Sequence, residues 1–121
     1  MDHKYYVIDA RERLSKLEFS ADEDWQMYPQ STYRCPLCSE EVFFSMRDFE
    51  RHSFSDFSNL SDDETQEMAA VVPKRAESYN SFLDFYCPRC HAPVRIYYLA
   101  WAGGRYTRGF NLSLVVERRA V

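Results

Sequence analysis

Two short stretches of this 121-residue chain repeat one pattern and contain all four of its cysteines. The first reads YRCPLCSEEVFF and the second reads FYCPRCHAPVRIYY. In each stretch the two cysteines stand three positions apart, a proline follows the first cysteine, and branched and aromatic residues come after the second. The two cysteine pairs are separated by residues 39–86, so a common role for the four thiols requires distant parts of the chain to meet.

The spacing of the cysteines is that of a tetrahedral metal site. A Cys-x-x-Cys turn brings two sulfur atoms within reach of one ion, and two such turns supply four thiolates. Thiolates favour zinc over magnesium or calcium, and four of them leave no coordination position for water, as in structural sites. We therefore predict that one Zn²⁺ is bound by Cys35, Cys38, Cys87 and Cys90. An iron–sulfur cluster uses the same four ligands and stays open as an alternative.

Other roles for the cysteines explain less of the pattern. The sequence CPRCH at Cys87 also fits the attachment motif of c-type haem, but that role leaves Cys35 and Cys38 unused. A thioredoxin-like redox pair accounts for one Cys-x-x-Cys and not for two. His52 and His91 are alternative metal ligands, although a solvated polar role is favoured for both. Without a signal-peptide pattern or a long apolar run, we expect a cytoplasmic protein with no membrane segment, where disulfides are disfavoured.

The two Cys-Pro-x-Cys knuckles, each continuing into strand-forming residues, resemble those of zinc-ribbon proteins, in which two such hairpins hold one metal between them. The resemblance covers about residues 33–44 and 85–98 and implies that the four cysteines are the ligands. Ribbons commonly have a shorter separation between the knuckles than residues 39–86 provide. We expect a single domain over residues 1–121 of α+β class: a zinc ribbon with two β arms, a helical insertion between the knuckles and a C-terminal β-hairpin.

Local signals predict the elements outside the knuckles. A short strand is expected over Tyr5–Ile8, followed by a helical turn that Asp9 caps and that runs through Leu17. Ser45 and Ser61, each followed three residues later by a carboxylate, predict capped helices over residues 46–52 and from Ser61 to Val71. After Pro73, the spacing of apolar residues predicts a further helix over residues 74–83.

The residues after the second knuckle predict a β-hairpin. Apolar residues alternate from Val94 to Tyr98, Gly103-Gly104 is a two-residue turn signal, and a return strand is expected over residues 105–117. One extra residue in the return strand is needed to bring its apolar side chains to the face of Val94 and Ile96. We place this β-bulge at Gly109, and the side chains it would bring to that face are Phe110, Leu112 and Leu114.

Charge is unevenly distributed along the chain. The net charge is −4 and the pI about 5.3, but residues 35–72 carry nine acidic and two basic side chains, whereas residues 73–121 carry three acidic and eight basic ones. A net acidic chain lacks the broad basic surface that non-specific nucleic-acid binding requires. The chain also lacks His-Glu-x-x-His, Gly-x-Ser-x-Gly and P-loop motifs, so we do not expect an enzyme.

The acidic residues and neighbouring aromatic side chains suggest a surface that binds another protein, since buried aromatics dominate binding energy and complementary charges speed encounter. The residues predicted to bind a partner are Asp22, Glu23, Asp24, Trp25, Asp56, Asp62, Asp63 and Glu64, beside the aromatic residues Tyr28, Phe49, Phe54 and Phe57. The alternative is that these aromatics form the core of the domain. In size, acidity and lack of catalytic groups, the chain also resembles bacterial immunity and antitoxin proteins, which implies a basic partner such as a toxin nuclease.

A second hypothesis is that the C-terminal hairpin binds single-stranded nucleic acid. Aromatic side chains stack on bases, and arginines neutralise phosphates. The residues that would form this surface are Arg89, Arg95, Tyr97, Tyr98, Trp101, Arg105, Tyr106 and Arg108. The alternative is that the arginines only keep a solvent-facing hairpin soluble.

Overall fold

The computed structural model describes residues 4–20, 30–74, 78–102 and 108–119. These residues form seven strands, two α-helices and one 3₁₀ turn. In chain order the elements are β1 (Tyr5–Asp9), the 3₁₀ turn (Ala10–Glu12), β2 (Glu18–Ser20), β3 (Ser31–Arg34), β4 (Glu41–Phe44), α1 (Met46–His52), α2 (Asp62–Val71), β5 (Ser81–Tyr86), β6 (Pro93–Ala102) and β7 (Arg108–Arg118). The fold is of the α+β class, as predicted. Within the described ranges, no helix is long and apolar enough to cross a membrane.

All strand pairs are antiparallel, and β7 is the strand on which the main sheet is built. One edge of β7 pairs with β6, which in turn pairs with β5. The other edge pairs first with β2, at Gly109–Asn111, and then with β1, at Leu114–Arg118. Strands β3 and β4 form a separate two-stranded hairpin. The N-terminal strands therefore close the sheet along an edge that the C-terminal hairpin leaves open.

One face of the main sheet is covered by the β3–β4 hairpin and α1. Phe49 of α1 is fully buried at the centre of this layer. Its ring lies 5.3 Å from that of Phe19, 5.8 Å from Phe44 and 5.1 Å from Tyr98, between centroids. The expectation that Phe49 joins a partner-binding surface is therefore wrong, because its ring fills the space between the helix and the sheet.

The opposite face of the sheet is covered by α2. Met68 of this helix is fully buried and packs in a cluster with Tyr5, Tyr97 and Val116. Leu60, just before the helix, is the other buried residue that the α2 segment contributes to this cluster. The sheet is thus enclosed by one apolar layer on each side, and its strands carry apolar residues on both faces.

The two helices predicted after Ser45 and Ser61 begin where their capping signals place them. The Ser45 N–H donates to Asp48 Oδ2 at 2.8 Å at the start of α1. The Glu64 N–H donates to Ser61 Oγ at 3.2 Å, and the Ser61 N–H donates back to Glu64 Oε1 at 3.0 Å. These reciprocal bonds satisfy donors that the first helical turn leaves free. The predictions for residues 46–52 and for the end at Val71 are confirmed.

The helix predicted over residues 74–83 is wrong where the structure describes it, because β5 begins at Ser81. Phe82 packs on the α2 side of the sheet and Leu83 on the other, so apolar residues on both faces of a strand imitate helical spacing. The Asn80 side chain also ties the start of β5 to β6, because it donates to Ala100 C=O and accepts from Ala100 N–H, both at 2.9 Å. Residues 75–77 lie outside the described residues.

The helical turn predicted through Leu17 is also too long. The Asp9 carboxylate accepts from Arg11 N–H at 2.9 Å and caps a 3₁₀ turn that covers only Ala10–Glu12. Leu14 then forms an isolated bridge with Tyr33 of β3. Pairing with two different strands, β3 and then β7, extends the chain where the local sequence alone indicated a helix.

The predicted bulge exists, but it lies at Ser113 rather than at Gly109. Tyr98 faces Leu112 and Tyr97 faces Leu114, which leaves Ser113 as the extra residue. Phe110 and Leu112 therefore lie on the predicted face, whereas Leu114 lies on the α2 side. Gly109 stays in register opposite Trp101, whose ring lies across it: a Cβ on Gly109 would stand 2.3 Å from Trp101 Cζ2. The predicted Gly103-Gly104 turn lies outside the described residues, and β7 begins at Arg108.

A buried ion pair joins β5 to β6 on the side of the sheet that faces the segment before α2. Arg95 Nη2 donates to Asp84 Oδ2 at 2.9 Å, and both side chains are almost fully buried. The guanidinium of Arg95 also lies 4.0 Å from the ring centroid of Phe82. The Asp84 carboxylate also accepts hydrogen bonds from Ser58 Oγ at 2.6 Å and from Asn59 N–H at 2.7 Å. The pair therefore joins two neighbouring strands to the connection between the helices.

We predict that Asp84→Ala lowers the free energy of unfolding by about 3–5 kcal/mol, because it leaves the buried Arg95 without its carboxylate. Urea unfolding followed by circular dichroism measures this change. Asp56→Ala, which removes an exposed carboxylate from the same connection, is the control and should change stability by less than about 0.5 kcal/mol. Equal effects of the two substitutions would contradict the prediction.

Candidate metal centre

The two Cys-Pro-x-Cys stretches fold into two matching turns. The first joins β3 to β4: Cys35 N–H donates to Glu40 C=O and Ser39 N–H donates to Cys35 C=O, both at 2.9 Å. The second joins β5 to β6 and repeats both bonds at the same length, from Cys87 to Ala92 and from His91 to Cys87. The same local sequence thus gives the same backbone geometry at two places in the fold.

The residue after the second cysteine has a left-handed backbone in both turns, with φ of 67° at Ser39 and 62° at His91. This conformation favours glycine, and here it turns the chain sharply enough to aim both cysteines of a knuckle inward. The His91 ring stacks on that of Tyr86, 4.3 Å away and nearly parallel. Neither His91 nor His52 belongs to the group of candidate ligands found among the described residues, which consists of the four cysteines.

The four Sγ atoms lie within 4.8 Å of one another. Cys35 Sγ is 3.7 Å from Cys90 Sγ, and Cys38 Sγ is 3.5 Å from Cys87 Sγ, so each short contact joins one knuckle to the other. A tetrahedral site with metal–sulfur bonds of about 2.3 Å places its sulfurs about 3.8 Å apart. A disulfide would require about 2.05 Å. The four cysteines are therefore close enough to hold one metal ion.

Backbone amides point at the sulfurs that are most enclosed. Burial opposes ionisation of Cys87, but hydrogen bonds from the N–H groups of Cys90 and Arg89 lower its pKa to about 7. Burial raises the pKa of Cys35 to about 12, although Leu37 and Cys38 N–H groups oppose this rise. Both knuckles thus aim amide donors at a thiolate, and a cation at the centre would favour the thiolate form further, because metal ligation requires deprotonated cysteine.

The arm that carries the first knuckle is fixed to the main sheet by Tyr33, two residues before Cys35. The Tyr33 hydroxyl donates to Glu117 Oε2 at 2.5 Å, and burial, together with the charge of Glu117, raises the pKa of Tyr33, so the hydroxyl remains a donor. Its ring meets that of Phe85 edge-on at 5.6 Å. Because Phe85 stands two residues before Cys87, this contact brings the two knuckles together.

Glu117 is itself buried and has further partners. It accepts Tyr6 OH at 2.7 Å and Arg13 Nε at 2.8 Å in addition to Tyr33. A buried carboxylate with a guanidinium and two hydroxyl donors has its hydrogen-bonding capacity satisfied. Sequence reasoning missed both Glu117 and the Asp84–Arg95 pair. The available signal was a carboxylate directly after apolar strand residues, which is unusual in a buried position unless the group is paired.

The residues predicted to bind a partner differ from one another in exposure where the structure describes them. Asp56, Asp62 and Asp63 are exposed. Glu64 is only partly exposed, because its carboxylate caps α2 and accepts the Tyr86 hydroxyl. Burial alone would raise the pKa of Glu64, but these hydrogen bonds outweigh burial and lower the pKa overall. The predicted residues Asp22, Glu23, Asp24 and Trp25, and Tyr28 beside them, lie outside the described residues.

The residues predicted to bind nucleic acid do not form one surface. Arg95 is buried in its pair with Asp84, and the rings of Tyr97 and Tyr98 belong to the two cores. Arg108 is half-exposed and forms an ion pair with Glu50 at 2.8 Å. Arg89 is exposed, Trp101 is partly exposed, and Arg105 and Tyr106 lie outside the described residues. The expectation of a continuous basic aromatic face is therefore wrong at Arg95, Tyr97 and Tyr98, because alternate residues of β6 point into the two cores.

We predict that purified protein contains one metal ion per chain and that a strong chelator lowers its melting temperature. The metal connects distant parts of the chain, so its removal should cost on the order of 5 kcal/mol of folding free energy. Cys87→Ser should melt at a similarly low temperature and should not respond to the chelator. Elemental analysis and thermal melts measure both effects, and the same melting temperature in metal-free and metal-loaded protein would contradict the prediction.

We also predict that Ser39→Gly stabilises the metal-loaded protein by about 0.5–1 kcal/mol, because glycine adopts the left-handed conformation at no steric cost. His91→Gly should gain less, since it also removes the stacking on Tyr86. Chemical denaturation of both variants beside the wild type measures the difference. A loss of stability in Ser39→Gly would show that the backbone at this turn is not strained.

Comparison with known proteins finds no matching protein-family model, no matching curated protein and no matching solved structure. What the chain binds is therefore inferred from its own residues.

Proposed function

We propose that this protein is a non-enzymatic protein-binding module whose fold is stabilised by zinc. The observation that carries the metal assignment is the cluster of four sulfurs contributed by two matching knuckles, with crosswise contacts of 3.5 and 3.7 Å. Four thiolates are a ligand set that favours zinc and that leaves no position for a reacting water. When bound, the ion would act as a cross-link between the β3–β4 and β5–β6 arms, which is the arrangement of a zinc ribbon.

The proposed partner is a protein with a basic surface. Residues 52–73 contain five carboxylates and neither lysine nor arginine. Asp56, Asp62 and Asp63 are exposed in this stretch, and the large apolar side chains Phe54 and Phe57 are exposed beside them. Charged surroundings steer a partner of opposite charge, whereas aromatic anchors provide binding energy once they are buried. An acidic surface with exposed phenylalanines therefore supports recognition of a basic protein.

The narrower proposal is that the partner is a toxin, such as a nuclease, which this protein neutralises by direct binding. A nuclease surface that holds nucleic acid is basic, and an acidic protein can cover it by charge complementarity. The test is to purify the product of the neighbouring reading frame, to measure its binding to the metal-loaded chain, and to assay its activity with and without the chain. Tight binding with loss of toxin activity is expected. Binding of single-stranded RNA or DNA instead, with affinity that falls steeply with salt, would favour the nucleic-acid hypothesis.

We predict that Asp56→Asn and Asp62→Asn each slow association with the basic partner, about two- to tenfold at low salt, and that the effect shrinks as salt is added. Glu12→Gln, which removes an exposed charge from the 3₁₀ turn, is the control and should leave association unchanged. Stopped-flow or surface-plasmon measurements give the rates. If all three variants slow association equally, the net charge and not the acidic stretch steers the partner.

A further inference from the structure

We propose that the connection between α1 and α2, residues 53–61, is a preformed docking loop, in which Phe54 and Phe57 are the anchors for a protein with a basic surface. This inference rests on the proposed protein-binding function and assigns it to one place on the molecule. We refer to residues 53–61 as the docking connector. The assignment depends on three features of these residues: apolar exposure, a backbone fixed from beneath, and charge.

The docking connector exposes more large apolar surface than any other stretch that the structure describes. The side chain of Phe54 is 74% exposed and that of Phe57 is 61% exposed, above Phe43 at 55% and Leu37 at 40%. The connector does have a buried member, Leu60, so its apolar residues are divided between a core side and a solvent side. Two exposed phenylalanines three positions apart belong to neither apolar core and match the aromatic anchors found at binding interfaces.

The backbone of the docking connector is held in one conformation by buried groups of β5. Ser58 Oγ and Asn59 N–H donate to the two Asp84 carboxylate oxygens, and Asn59 Nδ2 donates to Asp84 C=O at 2.8 Å. At the other end, Phe54 N–H donates to Ser81 Oγ at 3.1 Å, and Ser81 is buried. These bonds order the loop before a partner arrives. A preformed loop loses less conformational entropy on binding than one that must be ordered at that moment.

The surroundings of the two anchors define the partner. No lysine or arginine occurs in residues 52–73, whereas Asp56 lies between the anchors and Asp62 and Asp63 follow the connector. Beside Phe54 there is a recess of about 190 Å³ lined mainly by Ala100, Trp101 and Phe110, with the Glu50–Arg108 ion pair at its edge. A partner that fits therefore presents lysine or arginine around an apolar side chain that can enter this recess. A second copy that docked through its own connector would bring the same carboxylates and be repelled.

The backbone at Phe54 allows binding and stability to be tested separately. Phe54 has a φ of 57°, a conformation that bulky residues rarely adopt and that glycine adopts freely. Phe54→Gly should therefore fold with a melting temperature no lower than that of the wild type while lacking the anchor. Phe57→Ala removes the second anchor. Phe43→Ala is the matched control, because Phe43 is similarly exposed but lies before α1, at the end of that helix opposite to the docking connector.

The experiment pans a phage-displayed library of random peptides against the metal-loaded full chain. We expect enriched peptides to combine lysine or arginine with an aromatic or large aliphatic residue. Their affinity should fall on the order of tenfold or more for Phe54→Gly and for Phe57→Ala, and it should be unchanged for Phe43→Ala. Absence of enriched peptides, enrichment of acidic peptides, equal binding to Phe54→Gly, or loss of binding in Phe43→Ala would each overturn the assignment. Concentration-dependent dimerisation that Phe54→Gly abolishes would also overturn it, in favour of a second copy.

The same variants separate this inference from the proposed function. If the basic partner binds the wild type and binds Phe54→Gly and Phe57→Ala equally well, the docking connector is not the interface, although the protein-binding function stands. If the wild type binds no basic protein, the proposed function fails, whatever the peptides show. Melting curves of all variants establish that any loss of binding is not a loss of folding.

Discussion

The arrangement of the molecule depends on the meeting of two knuckles that belong to different sheets. The β3–β4 hairpin has only two strands, and its described backbone pairing outside itself is limited to short contacts with the segment at Leu14–Lys16. An isolated two-stranded hairpin is marginally stable in water. Two interactions hold it against the main sheet near Cys35: the crosswise approach of the four sulfurs and the contacts of Tyr33 with Phe85 and Glu117. A metal ion at the sulfurs would convert this approach into a cross-link that closes a long loop.

Buried charges then fix the segments that strand pairing does not reach. Glu117 gathers Tyr6, Arg13 and Tyr33 on the hairpin side of the sheet, and the Asp84–Arg95 pair holds the connection between the helices on the α2 side. Each carboxylate has both a guanidinium and neutral donors, so its desolvation is offset by several hydrogen bonds. Such networks are directional, unlike apolar contacts, and they set where a loop lies. This is how residues 53–61 come to present Phe54, Asp56 and Phe57 outward from a backbone that is fixed at both ends.

Structure set by short-range signals was predictable, whereas the errors occur where pairing and packing between distant segments decide the structure. The two helices were located correctly because a capping box is a short-range signal, satisfied by residues three positions apart. The helix expected after Pro73 was wrong at Ser81–Leu83 because a strand buried on both faces shows no alternation, so its apolar pattern can be mistaken for helical spacing. The need for a bulge followed from the hairpin sequence, but its position at Ser113 depends on how Trp101 covers Gly109 and on where β1 and β2 pair with β7.

The sequence by itself determined that four cysteines act in two matched pairs, because the Cys-Pro-x-Cys turn is built from local hydrogen bonds that repeat wherever the motif occurs. It also determined the capped helices and the acidic character of residues 35–72. Only the tertiary structure decided that the two knuckles face each other, that Phe49, Arg95, Tyr97 and Tyr98 are internal, and that Phe54 and Phe57 are exposed. The physical reason is that burial and long-range contact depend on which segments pack together, and residues far apart in the chain set that packing jointly.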